Sequence, residues 1–220
     1  DEFLASGRLD NLSSVHAGLA ALISTAEADA HGSDTTAGET ITMLAAFDHE
    51  EVGSASRSGA AGPLLADVLS RISAALGASL DDHQRALAGS ICLSADTGHA
   101  VHPNYAQRHD PANRPLLNGG PLLKINANQR YATDAVGAAS WRRACDAAGV
   151  PIQEFVSNNA VPCGSTIGPL TATRLGIRTV DVGIPLLSMH SARELAGVRD
   201  PLHLRQAIEA AAWRRYVDER

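Results

Sequence analysis

Apolar positions near the start of the chain change spacing twice, and each change predicts an element. Leu12, Val15, Leu19, Leu22 and Ile23 recur at helical intervals, which predicts an amphipathic helix over residues 10–26. Residues 25–39 are polar and contain glycine, so a surface connection is expected there. Residues 41–47 are largely apolar and stop abruptly at Asp48-His49-Glu50-Glu51, with Gly53 following. That run predicts a buried β-strand that delivers carboxylates to the rim of a sheet, where Gly53 lets the chain turn.

The alternation continues. Leu64, Leu65, Val68, Leu69, Ile72 and Leu76 mark a second amphipathic helix ended by Gly77, and residues 81–89 a short one. Residues 91–96 form an apolar run ending in Asp96. Residues 97–120 are rich in His, Pro, Asn and Gly, and His99, His102 and His109 make this a candidate site loop. Strands are expected at residues 122–127, carrying Lys124, at 152–156 and at 177–182. Helices are expected at 133–148, 167–175 and 201–217. Residues 158–165 read as a loop, and 186–190 lead out of the last strand towards His190. Strands alternating with helices predict an α/β fold, a three-layer α/β/α domain on a largely parallel sheet.

Composition removes several function classes. The 220 residues carry a formal net charge of -6, and their basic pairs (Arg142-Arg143 and Arg214-Arg215) are short, so nucleic acid is not an expected partner. Three cysteines without a C-x-x-C predict neither a cysteine zinc site nor a disulfide framework. They fit a reducing compartment, and a cytoplasmic location is expected. No apolar stretch approaches the roughly 18 residues of a membrane span, and no phosphate-binding glycine loop occurs. No signal peptide is expected ahead of the first element.

Acids and a histidine then gather at the ends of predicted elements: Asp10 at a helix start, Glu50-Glu51 and Asp96 after strands, and His190 past another strand. Functional groups of α/β sheets collect at the carboxyl ends of strands. Carboxylates with imidazole suit zinc, cobalt or manganese. Taken singly, each has a plainer reading. Asp10 stands where an N-cap stands, Glu50-Glu51 where a solvated loop follows a strand. Lys124 reads equally as a snorkelling strand residue, and Tyr131 as a core ring with its hydroxyl satisfied.

Six segments decide between these readings by their wording: GRLDNL, FDHEEVGS, SADTGHAVHPNY, LNGGPLLKINANQRYAT, CGSTIGP and VDVGIPLLSMHSARE. Together, from about residue 7 to about 213, they resemble the aspartyl aminopeptidase family of dinuclear zinc metallopeptidases. The resemblance implies that Asp10 bridges two metal ions, Glu51 and His190 bind the first, and Asp96 binds the second. It implies Glu50 as the catalytic general base, with His99, Lys124 and Tyr131 contacting substrate. The implied ions are zinc, with cobalt or manganese as substitutes. The implied substrates are peptides with N-terminal Asp or Glu, and the implied assembly is a large homo-oligomer. The family also carries a metal-binding histidine in an H-x-D context upstream of GRLDN, and no H-x-D occurs here. His16 and His49 are weak substitutes. The 220 residues are therefore expected to be the C-terminal portion of a metallopeptidase catalytic domain, without the N-terminal part and the inserted assembly domain. A glutamyl-type dinuclear aminopeptidase of broader specificity, or a catalytically silent assembly half, are the competing expectations.

Overall fold

The structure, a computed structural model, describes residues 2–30 and 40–212. In chain order its regular elements are β1 (Phe3–Ser6), α1 (Leu9–Ala30), α2 (Leu64–Ala75), α3 (Leu80–Gly89), β2 (Ile91–Ala95), β3 (Gly98–His99) and β4 (Leu122–Ile125). Then follow α4 (Ala135–Ala148), β5 (Gln153–Val156), α5 (Gly168–Leu175), β6 (Arg178–Gly183), β7 (Pro185–Leu187), β8 (Glu194–Gly197) and α6 (Asp200–Ala212). Two 3-10 turns, Glu50–Val52 and Pro103–Arg108, lie in the connections. Residues 31–39 of the expected connection, Arg214-Arg215 and the expected last helix beyond residue 212 lie outside the described residues.

The strands form two four-stranded mixed sheets, ordered β2-β6-β4-β5 and β1-β8-β7-β3. β2 pairs parallel with β6, β4 with β5, and β3 with β7. β4 runs antiparallel to β6, and β8 antiparallel to both β1 and β7. The α/β class is as expected. The second sheet was not legible, because its strands are two to four residues long and too short to show a period.

Adjacent strand residues point to opposite faces, and β6 uses both. A Cβ on Gly137 of α4 would meet Val180, whereas one on Gly168 of α5 would meet Asp181. So α4 covers one face of this sheet and α5 the other. The main core lies on the Val180 face, where Leu123, Trp141, Val182, Ile184, Leu186, Leu204 and Ala207 are all buried. A smaller cluster of Leu122, Tyr131 and Phe155 lies on the other side. Lys124 shares Leu122's face by the same alternation, which turns its side chain away from the main core.

Two expectations are corrected. Helix α1 forms, but Leu12, Leu19 and Ile23 are 59%, 47% and 51% exposed, while Ala17 and Ala21 are buried. The buried row is Ser13, Ala17, Ala21 and Thr25, at four-residue spacing, and α1 packs against α6, where Ala207 and Ala211 are small too. Small side chains let the two helices approach, and that contact outweighs the leucine stripe. Residues 41–47 form no strand, with Ile41 63% exposed. A strand exists through hydrogen bonds to a neighbour, and no described residue supplies one.

The remaining boundaries follow local chemistry. Gly149 and Gly176 close α4 and α5 in the left-handed conformation, at φ 66 and φ 67. Asp134 caps α4 by accepting from the Gly137 N–H. No helix among the described residues is long and apolar enough to cross a membrane.

Candidate metal centre

Asp10 at the start of α1, Glu51 in the 3-10 turn and His190 in the β7–β8 connection meet in space. Each offers a ligand atom, and these atoms lie within 4.8 Å of one another. The His190 Nε2 is 3.0 Å from Asp10 Oδ2 and 3.2 Å from Glu51 Oε2. Backbone geometry delivers them. Asp10 departs from helical angles (φ -80, ψ 108) before α1 continues. Glu51 sits in a 3-10 turn entered through His49 and left through Gly53, both left-handed. His190 itself has φ 66 in the turn between β7 and β8.

Asp10 is not an N-cap. Its Oδ1 accepts from Thr97 Oγ1 at 2.8 Å, and its own N–H donates to Glu194 Oε2 at 3.0 Å. The other Glu194 oxygen accepts the His190 N–H at 2.7 Å. Glu194 is 2% exposed, so one buried carboxylate fixes the backbones that carry two candidate ligands. Asn11 adds a tie from α1 to Ala95 at the end of β2, donating to its carbonyl at 2.8 Å.

Electrostatics make this a site short of positive charge. Burial raises the Asp10 carboxyl above its usual value and Asp96 raises it further, against the lowering Thr97 hydrogen bond and His190. Burial and Asp10 likewise raise Glu51. Glu50 is pushed up to about 7 by burial, then by Asp96, Glu51 and Asp10, with Lys124 opposing. Carboxylates that raise one another gain most from a divalent cation. Two carboxylates and a neutral imidazole are a donor set that zinc accepts, and His190 and Glu51 are open to the cleft at 61% and 56% side-chain exposure. The donors present therefore fit zinc.

The other candidates stand around this trio. Asp96 accepts from Lys124 Nζ at 3.1 Å, and the same ammonium donates to the Thr97 carbonyl at 2.7 Å. Lys124 does not snorkel: it is buried, with Nζ 5.4 Å from the Tyr131 ring centroid. Tyr131 packs edge-on against Phe155 in the smaller core, and burial raises its hydroxyl first, then the hydrogen-bonded Cys163 thiol beside it. His99 keeps an exposed surface, yet the surrounding protein, then His109 and His190, push its imidazole down.

All eight candidates line one cleft of about 780 Å³. His16 and His49 do not, and the His49 Nδ1 is 2.7 Å from Ser56 Oγ instead. Sequence reasoning missed Glu194, Thr97 and Asn11. Glu194 lay inside a quoted segment, and a charge within the short run Glu194–Gly197 was the available signal.

Comparison with known proteins adds to the geometry. Residues 1–210 match the family described as aminopeptidase I zinc metalloprotease (M18). The chain is 59% identical over 209 residues to the probable M18 family aminopeptidase 2 of Streptomyces coelicolor, covering 95% of this chain and 47% of that protein. Among solved structures it resembles one in the cryo-EM structure of the Ape4 and Nbr1 complex, at 40% identity and TM-score 0.89, over 96% of this chain and 39% of that one. It also resembles the S. cerevisiae mApe1 dodecamer, at 33% identity and TM-score 0.81, over 96% of this chain and 46% of that one. The chain thus spans about half the length of the curated relatives it matches.

Proposed function

The chain belongs to the aminopeptidase I zinc metalloprotease (M18) family, and from that premise we propose that its full-length protein removes acidic residues from the N-termini of peptides. The observation that carries this reading is the Asp10–Glu51–His190 trio, with Glu50 held near neutrality in the same cleft. Asp10, Glu51 and His190 would hold one zinc ion, and Asp10 with Asp96 a second. When bound, zinc supplies Lewis-acid polarisation of the scissile carbonyl and lowers the pKa of water.

This chain's own groups do the rest. Glu50, at about 7, is poised to take a proton from the attacking water and return it to the leaving amine. The acid cluster attracts the peptide's α-ammonium and restricts action to chain ends. Lys124 spends two of its three N–H donors on Asp96 and Thr97, leaving one for the carboxylate of a substrate Asp or Glu. His99 and Tyr131 line the same cleft as further substrate contacts. The dodecamer formed by a relative supports a homo-oligomer for this protein too.

One observation favours a second reading. Lys124 is already paired with Asp96, and an ammonium so engaged discriminates weakly between acidic and neutral residues, as in an aminopeptidase of broader specificity. Initial rates on Asp-, Glu- and Leu-terminated tripeptide amides separate the two. The zinc-loaded full-length protein is expected to favour Asp or Glu by at least tenfold. Equal rates would move the assignment to the broader enzyme, and no hydrolysis of any of the three would remove the peptidase reading.

A further inference from the structure

We propose that His102, Tyr105 and Arg108 form a subsite for a carboxylate that the peptide carries beyond its first residue. The proposal rests on the aminopeptidase reading above. His102 is the N-cap residue of the 3-10 turn Pro103–Arg108, and the three residues follow at intervals of three. The turn is kinked at Tyr105, whose φ -134 and ψ 33 are not helical, so the grouping of these side chains rests on their ring contacts and not on a helical period. The ring centroids of His102 and Tyr105 are 5.0 Å apart, and the Arg108 guanidinium carbon is 5.7 Å from the Tyr105 centroid. All three line the cleft that holds the metal-site carboxylates.

Each member has a defined capacity. His102 Nδ1 accepts the Asn104 N–H at 3.1 Å, which leaves Nε2 as the protonated nitrogen and a donor. Arg108 is exposed and makes no ion pair with an acid among the described residues. The guanidinium carbon lies over the Tyr105 ring at 5.7 Å from its centroid, and the planar N–H fork of an arginine matches a carboxylate. The turn is also anchored. Asn158 Nδ2 donates to the carbonyls of Gln107 at 2.9 Å and His109 at 3.2 Å, and the His109 ring meets Phe155 edge-on.

Charge gives the cleft a direction. At one pole stand the carboxylates of Asp10, Glu50, Glu51 and Asp96, and Lys124 is bound directly to that pole through Asp96. Arg108 joins none of those acids in an ion pair among the described residues, and its turn is tied to Asn158 instead. A peptide with its ammonium at the acid pole carries its later residues along the rest of the cleft. The uncommitted cation there is matched by an anion on the leaving part of the substrate.

The experiment uses the zinc-loaded full-length protein and peptides that all begin with Asp. Asp-Glu-Ala-amide is compared with Asp-Gln-Ala-amide, Asp-Ala-Glu-amide with Asp-Ala-Gln-amide, and Asp-Ala-Ala free acid with its amide. The expected result is a preference for at least one carboxylate member of roughly three- to tenfold in kcat/KM, as for a partly exposed charge-assisted contact. Arg108→Ala abolishes that preference while neutral peptides stay within twofold of wild type, and Arg108→Lys retains part of it. A preference in the side-chain pairs assigns the subsite to an acidic residue, and one confined to the free acid assigns it to the chain end. No preference in wild type, or one that survives Arg108→Ala, overturns the proposal. The same pairs are measured for Kd in a Glu50→Gln background, where no turnover is needed. A wild type that cleaves nothing while the Kd preference persists overturns the aminopeptidase reading and leaves the subsite standing.

Discussion

Lys124 donates to Asp96 at 3.1 Å from a side chain only 2% exposed, so this cation at the acid pole is held by a protein acid before any substrate arrives. The pair joins β4 to the end of β2 and offsets part of the mutual repulsion that raises Glu50. Breaking such a pair on one side leaves a carboxylate without its partner. Lys124→Met is expected to lower stability by roughly 3 kcal/mol, and adding Asp96→Asn to recover part of that loss. Urea unfolding of the zinc-free proteins measures both. The same single variant is expected to lose the preference for Asp- over Leu-terminated peptides, and an unchanged rate ratio would take Lys124 out of specificity.

Glu194 acts on the candidate ligands without touching a substrate. Its two oxygens hold the N–H groups of Asp10 and His190. Glu194→Ala leaves both donors unpaired in a buried place, and zinc affinity is expected to fall roughly 10- to 100-fold, as when groups that orient metal ligands are lost. Glu194→Gln keeps one acceptor and is expected to fall between. Competition against a chromophoric chelator gives the affinities directly. Equal zinc affinity in wild type and Glu194→Ala would show that other contacts fix the ligand backbones.

Glu50 is assigned to protons and not to zinc, and one variant separates those tasks. Glu50→Gln keeps shape and polarity but cannot accept a proton. Turnover is expected to fall by roughly 10²- to 10⁴-fold while zinc content is unchanged. Turnover within tenfold of wild type, or loss of zinc, would return Glu50 to the ligand set.

The parts of this fold legible in the sequence are those whose signal is local. Gly77, Gly149 and Gly176 end helices as glycines at left-handed positions do, and the apolar run through Leu122 and Leu123 is strand β4. Distant partners were illegible. Nothing in the spacing of Leu12, Leu19 and Ile23 says that Ala17 and Ala21 face α6 instead. The apolar run at residues 41–47 signals burial but not the absence of a described partner strand. At the site, residue identities followed from the motif wording. The Glu194 clamp and the Lys124–Asp96 pair are contacts across 184 and 28 residues, which no local pattern carries.

Asp200 supplies a test of the fold away from the chemistry. It is buried at the start of α6 and accepts the N–H groups of Asn118 at 2.7 Å and Gly120 at 3.0 Å, closing the loop that leads into β4. Gly120 has φ 94, where a side chain is strained, and a Cβ there would lie 2.2 Å from the Pro151 carbonyl oxygen, so this loop has little room to relax. Burial raises the Asp200 carboxyl from 3.8 to about 6, against the lowering effect of both hydrogen bonds. A folded-state pKa above the unfolded value means that the folded protein binds the proton more tightly. Asp200's contribution to stability is therefore fully present below about 3.8 and is lost as pH rises through about 6. Asp200→Asn removes that titration. Between pH 4 and pH 7.5 the stability gap between wild type and variant is expected to change by on the order of 2 kcal/mol, with wild type relatively better at the lower pH. Urea midpoints at both values measure it, and a gap that is flat with pH, or that widens in favour of wild type as pH rises, would contradict the raised carboxyl.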